Sequence, residues 1–126
     1  MNKLTILLFS ILISFNSYGN WTKLDNLSSV GFTIYIDNLT IKKHDGYVYF
    51  WEMINFIDPK SGDEISSKGY IQVDCGVVRF KILSQIDYDE PMGRGSADAY
   101  NPSNRKWVYP PENEQKWWQV LCDYVD

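Results

Sequence analysis

The residues whose chemistry is most readily assigned are the chain's two cysteines, Cys75 and Cys122. Thiols pair as disulfides in oxidising compartments, and a small domain gains stability from such a bond. Two buried free thiols are the alternative. Cys75 ends a stretch of alternating character that begins at Tyr70, whereas Cys122 lies close to the C-terminus. We therefore predict a disulfide that fastens the end of the chain to its middle.

Histidine and clustered acids offer little for metal or acid–base chemistry. His44 is the only histidine, so histidine-based catalytic pairs and multi-histidine zinc sites are not available in their usual forms. It stands beside a predicted turn, where an exposed position is the simpler interpretation. Asp87, Asp89 and Glu90 offer oxygen ligands for calcium, but their spacing matches no calcium-binding loop. We predict a solvated acidic loop, with no metal and no cofactor.

Two carboxylates, Glu52 and Asp74, are set into apolar runs. A pair of carboxylates held in a cleft is the arrangement that glycosidases use. Chance pairs are common in a chain with 16 acidic residues, and Asp74 is more simply interpreted as the partner of Arg79 or of a lysine across a sheet. The sequence therefore predicts that the protein is not an enzyme.

Aromatic residues are the remaining candidates, and their chemistry is binding. The run 46–56 alternates, which places tyrosines and a tryptophan on one face of a predicted strand. An uncovered aromatic face is typical of a surface for a protein partner or a homodimer, although core packing is the alternative. The predicted partner surface adds basic and aromatic residues from a polar stretch at 87–105. Its members are Tyr47, Tyr49, Trp51, Arg94, Tyr100 and Arg105.

Composition limits the class of protein and of partner. The chain has 126 residues, of which 44% are hydrophobic and 16% aromatic, so it is long and apolar enough for one folded domain. Its net charge is −4, and its basic residues are scattered. Nucleic acid is therefore not expected as a partner, because phosphate binding requires a concentrated basic face.

Residues 1–19 are predicted to be a cleaved signal peptide, followed by one domain over 20–126. Lys3 supplies a positive start, 4–15 form an apolar segment too short to span a bilayer, and Ser17-Tyr18-Gly19 resembles a cleavage site. No later segment is long and apolar enough to cross a membrane. We expect export to the periplasm, the cell surface or the medium.

The elements that must position these residues are predicted from hydrophobic periodicity and turn residues. Strands are predicted at 21–24, 31–37, 40–43, 46–56, 67–75, 77–85 and 107–109, with an irregular stretch at 87–105. The spacing of Trp118, Leu121 and Cys122 predicts a helix over 113–125, capped by Asn113. The predicted fold class is α+β: a five- to six-stranded antiparallel meander sheet with one C-terminal helix packed on one face and disulfide-linked to it.

Several landmarks recur in a characteristic order along the chain. They are Trp21, Tyr35-Ile36-Asp37, Tyr49-Phe50-Trp51, Val73-Asp74-Cys75, Arg79, Trp107-Val108-Tyr109-Pro110 and Cys122. This order resembles the surface-adhesin protein E-like domain family of bacteria, over essentially the whole chain after residue 19. The resemblance implies a six-stranded antiparallel sheet whose concave side carries a disulfide-tethered helix. It also implies an exported protein that binds host extracellular-matrix or plasma proteins.

Two features depart from the family pattern. The usual Pro-Gly-Ser before the helix is here Pro110-Pro111-Glu112, and no cysteine for lipid attachment stands near the predicted cleavage site. The second departure keeps an alternative open. In that alternative the chain is a soluble periplasmic binding or inhibitory module that acts on a bacterial envelope protein.

Overall fold

The computed structural model describes residues 20–24, 31–102 and 105–124. This part of the chain forms seven strands and one α-helix. In chain order they are β1 (Trp21–Lys23), β2 (Phe32–Asp37), β3 (Lys42–His44), β4 (Tyr47–Ile57), β5 (Glu64–Asp74), β6 (Arg79–Tyr88), β7 (Ala97–Tyr100) and α1 (Glu112–Tyr124). The predicted signal peptide at 1–19 lies outside the described residues, so it stays a prediction.

The strands form one antiparallel sheet in the order β1-β2-β4-β5-β6-β7. β3 lies off this path and pairs with the same edge of β4 as β2 does, β3 along 47–49 and β2 along 52–56. The predicted hairpin turn is present at Asp45-Gly46, where both residues adopt the left-handed conformation that this dipeptide favours (φ 52° and 83°). The predicted antiparallel sheet with one C-terminal helix is confirmed, with seven strands in the described residues instead of five or six.

Alternation along β4 decides which side of the sheet carries the helix. Val48 and Phe50 are fully buried on that side, called the helix side from here on. The apolar stripe of α1, formed by Trp118, Leu121 and Cys122, packs there. Ile36, Ile71 and Val73 from the neighbouring strands complete the core. The apolar side chains that recur every 3.6 residues in the helix thus pack against those that recur every two residues in the strands.

A disulfide fixes this contact. The sulfurs of Cys75, just after β5, and Cys122, near the end of α1, are 2.09 Å apart, which confirms the predicted pairing. A helix of 13 residues is marginal alone in water, so α1 depends on its packing and on this bond. The helix begins at Glu112, and the predicted cap Asn113 lies instead inside its first turn.

The prediction of an irregular stretch at 87–105 is wrong in part. β6 continues to Tyr88, and β7 pairs with it in an antiparallel hairpin. Asp89 tightens the connection, because its carboxylate accepts a hydrogen bond from the Ser96 N–H at 2.8 Å and its own N–H donates to the Ser96 carbonyl at 3.2 Å. β7 is an exposed edge strand, so it has no apolar alternation by which the sequence would reveal it.

β6 begins later than predicted, at Arg79 instead of residue 77. Val77 and Val78 belong to the turn after β5, and Val78 adopts a left-handed conformation with φ 53°. Asp74 organises this turn, since its carboxylate accepts from the Gly76 N–H and from Arg79 Nε, each at 3.0 Å. The predicted pairing of Asp74 with Arg79 is therefore confirmed.

The predicted strand 107–109 reduces to a single bridge. Val108 and Phe80 exchange two backbone hydrogen bonds of 2.7 and 2.9 Å. This bridge anchors the segment between β7 and α1 to the start of β6.

Replacing both cysteines (Cys75→Ala with Cys122→Ala) should lower the free energy of unfolding by about 4 kcal/mol, because the disulfide closes a loop between residues 47 positions apart. Urea denaturation of the two proteins measures the difference. Reductant should shift the wild-type midpoint toward that of the variant and leave the variant unchanged. A variant as stable as the wild-type protein would contradict this role of the bond.

Candidate functional site

The side of the sheet opposite α1, called the helix-free face, carries a row of aromatic residues. Strand register places seven of them on it: Trp21, Tyr35, Tyr47, Tyr49, Trp51, Tyr70 and Tyr88. All seven are half-buried. Each ring therefore rests on the sheet and still presents part of its surface to solvent.

Three rings form the centre of this face. Tyr70 lies opposite Trp51 in the neighbouring strand, and the two ring centroids are 5.1 Å apart. Tyr49 stacks on the same Tyr70 ring at 6.1 Å. Gln72 Nε2 donates a hydrogen bond to the Tyr49 hydroxyl at 3.2 Å. Because each ring is supported by a neighbour, the group forms a platform that loses little conformational freedom on contact with a partner.

A second aromatic group lies at the β3–β4 end of the face. Trp107 folds onto the sheet and stacks on Tyr47 with the ring centroids 6.0 Å apart. Arg79 Cζ and Lys81 Nζ lie 4.4 and 4.3 Å from the Trp107 ring centroid, within the range of cation–π contacts. Arg79 also donates to Asp74, so its guanidinium is held in place from two directions.

The helix-free face is basic although the chain is acidic. Four of its residues are cations in contact with aromatic rings: Lys42, Lys68, Arg79 and Lys81. Lys68 Nζ lies 5.4 Å from the Trp21 ring and 5.3 Å from the Tyr88 ring, and Lys42 Nζ lies 5.8 Å from the Tyr49 ring. The long lysine stems cover part of the aromatic surface while the charged ends stay near water.

The opposite end of the helix-free face is covered by the chain itself. The turn Pro91–Gly93 lies over Met53, which is fully buried. Asn55 Oδ1 accepts from the Met92 N–H at 2.9 Å, and Ser66 Oγ accepts from the Gly93 N–H at 2.9 Å. These two hydrogen bonds hold the turn against the sheet, so the aromatic part of the face is the part that stays open.

Three of the predicted partner residues come together on this face: Tyr47, Tyr49 and Trp51. Arg105 is exposed and precedes Trp107 by two positions in the chain. As a binding set these residues stay a prediction. The predicted partner surface does not include Tyr70 and Lys68. Both lie on the face of β5 opposite Ile71, so the alternation of this strand could have identified them.

The other two predicted residues lie apart from them. Arg94 is exposed just after the covering turn, at the far end of the face. Tyr100 stands on the edge strand β7 and donates its hydroxyl to Asp87 at 3.1 Å, toward the helix side of the sheet. Their part in a partner surface also stays a prediction.

A groove of about 440 Å³ lies on the helix side of the sheet, over β4, β5 and β6. Its apolar lining consists of Ile54, Phe56, Ile65, Ile71 and Ile82. Glu52 lines the groove and is half-buried. Burial, and after it the Glu114 carboxylate of α1, raise the pKa of Glu52 from 4.5 to about 7.

The remaining titratable candidates make local contacts. His44 Nε2 lies 3.1 Å from Asp45 at the exposed hairpin turn. Asp87 accepts from Ser67 Oγ at 2.9 Å and from Gln85 Nε2 at 3.1 Å, in addition to Tyr100. Within residues 20–24, 31–102 and 105–124, no three His, Cys, Asp or Glu side chains are grouped so as to hold a metal ion. In the same part of the chain, no helix has the length and hydropathy needed to cross a membrane.

Comparisons with known proteins agree on one family. The sequence model of the family described as Surface-adhesin protein E matches residues 21–123. The fold is similar to that of Haemophilus influenzae protein E, with a TM-score of 0.56 and 18% identity over 85% of this chain and 96% of that one. Protein E from non-typeable Haemophilus influenzae gives a TM-score of 0.55 and 19% identity over 85% and 90% of the two chains. Curated protein sequences give no match.

Replacing Glu52 with the neutral isostere (Glu52→Gln) should raise the free energy of unfolding by about 1–2 kcal/mol at pH 8 and by much less at pH 5. Because the folded-state pKa of Glu52 lies above 4.5, ionisation of this one group destabilises the fold increasingly as the pH rises from about 4.5 to about 7, and Gln avoids that contribution. Urea denaturation at the two pH values measures both differences. Exposed Glu64 provides the control Glu64→Gln, and an equal gain in that control would contradict the interpretation.

Proposed function

The chain belongs to the surface-adhesin protein E family, and on this premise we propose that it is an exported, non-catalytic domain that binds a protein partner through its helix-free face. The proposal is supported most directly by the aromatic platform of Tyr49, Trp51 and Tyr70. Among the described residues, no helix or second sheet packs over it. A face built in this way supplies the residue types that protein interfaces favour at their centres.

The contacts within the platform favour binding to a preformed surface. The Trp51 and Tyr49 rings both pack against the Tyr70 ring, so a partner would contact rings that are already held in position. Aromatic side chains in such positions commonly carry a large part of the binding free energy of an interface. The platform is therefore the expected centre of the contact.

The positive charge of the helix-free face limits the kind of partner that can bind there. Lys42, Lys68, Arg79 and Lys81 surround the rings, and Asp74 offsets only Arg79 among them. We expect a partner surface with acidic groups around an apolar centre. Such pairing accelerates association at low ionic strength and makes it sensitive to salt.

Two sources of partner fit the proposed export. One is a host extracellular-matrix or plasma protein, and the other is a protein of the bacterial envelope. Membership of the family supports the first, and we expect either partner to bind the helix-free face. We propose the host partner first, and binding to purified host proteins separates the two.

A non-catalytic role is supported by how the carboxylates are used. Asp74 shapes the turn before β6 through Gly76 and Arg79. Asp87 accepts three side-chain hydrogen bonds that join β5, β6 and β7. These contacts hold strands together, and they account for the two acids without a reaction.

Removing the platform with Trp51→Ala and Tyr70→Ala together should weaken binding to a matrix or plasma protein by at least about tenfold, since buried aromatic anchors are commonly worth more than about 1 kcal/mol each. Biolayer interferometry with immobilised laminin, vitronectin and plasminogen measures the affinity. Val120 is exposed on the outer surface of α1, so Val120→Ala is the matched control and should bind like the wild-type protein.

Two results would contradict this proposal. One is binding by the folded double variant that equals wild-type binding. The other is wild-type binding that does not rise above background for any of the three host proteins, which would remove the host partner. Thermal unfolding of both variants confirms that loss of binding is not loss of fold.

A further inference from the structure

α1 covers only part of its own side of the sheet. Its apolar stripe packs on Val48 and Phe50 in β4 and on Ile71 and Val73 in β5. Farther along the same strands, apolar side chains of the helix side stay half-exposed: Ile54, Phe56 and Ile65. The groove of about 440 Å³ lies over this uncovered part, within the size range of small-molecule sites.

Gly69 opens the floor of the groove. It pairs with Glu52 on one side and with Gln85 on the other, so it stands in the middle of the sheet. A Cβ at this position would meet Ile71 Cδ1 at 3.4 Å and Ile82 Cγ2 at 4.0 Å. These are ordinary contact distances, so the space exists because the residue is glycine, and a larger side chain would fill it.

The ionisable groups in the groove are acidic or neutral. Glu52 and Asp87 contribute carboxylates, the Tyr88 ring lies on the opposite face beside Lys68, and no Lys, Arg or His is among the lining residues. The Asp87 oxygens already accept three hydrogen bonds. Within the described residues, no cation and no hydrogen-bond donor compensates the Glu52 carboxylate. Glu52 is therefore the group left to meet a ligand.

We propose that this groove binds a small cationic amphiphile, with its apolar body on the isoleucine floor and a single ammonium group at the Glu52 carboxylate. An anionic amphiphile is disfavoured, because its head would approach Glu52 together with Glu114 of α1. The site lies on the other side of the sheet from the aromatic platform. It does not depend on the function proposed for that platform.

Binding of the ammonium group should depend on pH near neutrality. Among the described residues, the titratable groups on the same side of the sheet as Glu52 are Glu114 from α1 and Asp87 from β6. Because the pKa of Glu52 is about 7, its carboxylate is mostly neutral at pH 6 and mostly ionised at pH 8. Affinity for an ammonium ligand should therefore be about tenfold higher at pH 8 than at pH 6.

Isothermal titration of the folded, oxidised protein with decylammonium, below its micelle concentration, tests the proposal. We expect one saturable site per chain, about tenfold weaker binding at pH 6 than at pH 8, and weaker binding of decyl sulfate at pH 8. Glu52→Gln should remove the pH dependence and bind as weakly as the wild-type protein does at pH 6. Gly69→Leu should abolish binding by filling the floor.

Asp63 lies in the exposed turn between β4 and β5, so Asp63→Asn is the control of equal charge change and should bind like the wild-type protein. If Gly69→Leu does not fold, Glu52→Gln and the pH series still decide. The proposal is overturned if decyl sulfate binds as tightly as decylammonium, or if Glu52→Gln keeps the wild-type affinity at pH 8. The proposal is also overturned if a lysine-containing apolar peptide binds and decylammonium does not, because the ligand would then be a peptide and not a small amphiphile.

Discussion

In the described part of the chain, one short helix packs on a sheet of seven strands, and the bond between Cys75 and Cys122 fixes where that helix lies. The bond ties the end of α1 to the end of β5, so Trp118 and Leu121 cover the core beside Val48 and Phe50. In the described chain, the helix covers neither the opposite face nor the far half of the helix side, and on the opposite face the turn Pro91–Gly93 covers only one end. Both surfaces available for binding therefore follow from the position of one covalent link and the length of one helix.

The uncovered aromatic residues remain compatible with water because polar groups accompany them. Lysine and arginine stems lie across the rings of the helix-free face, as Lys68 does between Trp21 and Tyr88. On the helix side, acidic residues lie around the groove, and α1 begins with Glu112 and Glu114, which suits the positive end of a helix dipole. The two sides of the sheet thus present opposite charge, so they suit partners of different chemistry.

The sequence predicted those parts of the fold that depend on local pattern. Alternation located β4, the Asp45-Gly46 pair located the hairpin, and helical spacing located α1. The exposed edge strand β7 was missed. It is held by hydrogen bonds to β6 and has no apolar face that hydrophobic alternation could reveal. Val78 was wrongly assigned to a strand. It lies in a turn that the Asp74 carboxylate holds through hydrogen bonds, and hydrophobic alternation does not reveal such bonds.

The candidate sites also contain some residues that the sequence pattern predicts and others that it does not. The row of Tyr47, Tyr49 and Trp51 could be predicted from alternation in one strand. The packing of Trp107 against Arg79 could not, because it joins segments that are distant in sequence. The groove depends on where α1 stops covering the sheet and on the missing side chain of Gly69, and neither follows from one strand's pattern.

Hydroxyl-radical footprinting with mass spectrometry tests most directly whether the helix-free face is open and used. We expect Trp51 and Tyr70 to be oxidised in the free protein and Trp118, which is buried between the helix and the sheet, to be protected. On addition of a host matrix or plasma protein that binds, Trp51 and Tyr70 should become protected while Trp118 is unchanged. Protection of Trp51 and Tyr70 in the free monomer, or no change in them on binding, would contradict this expectation.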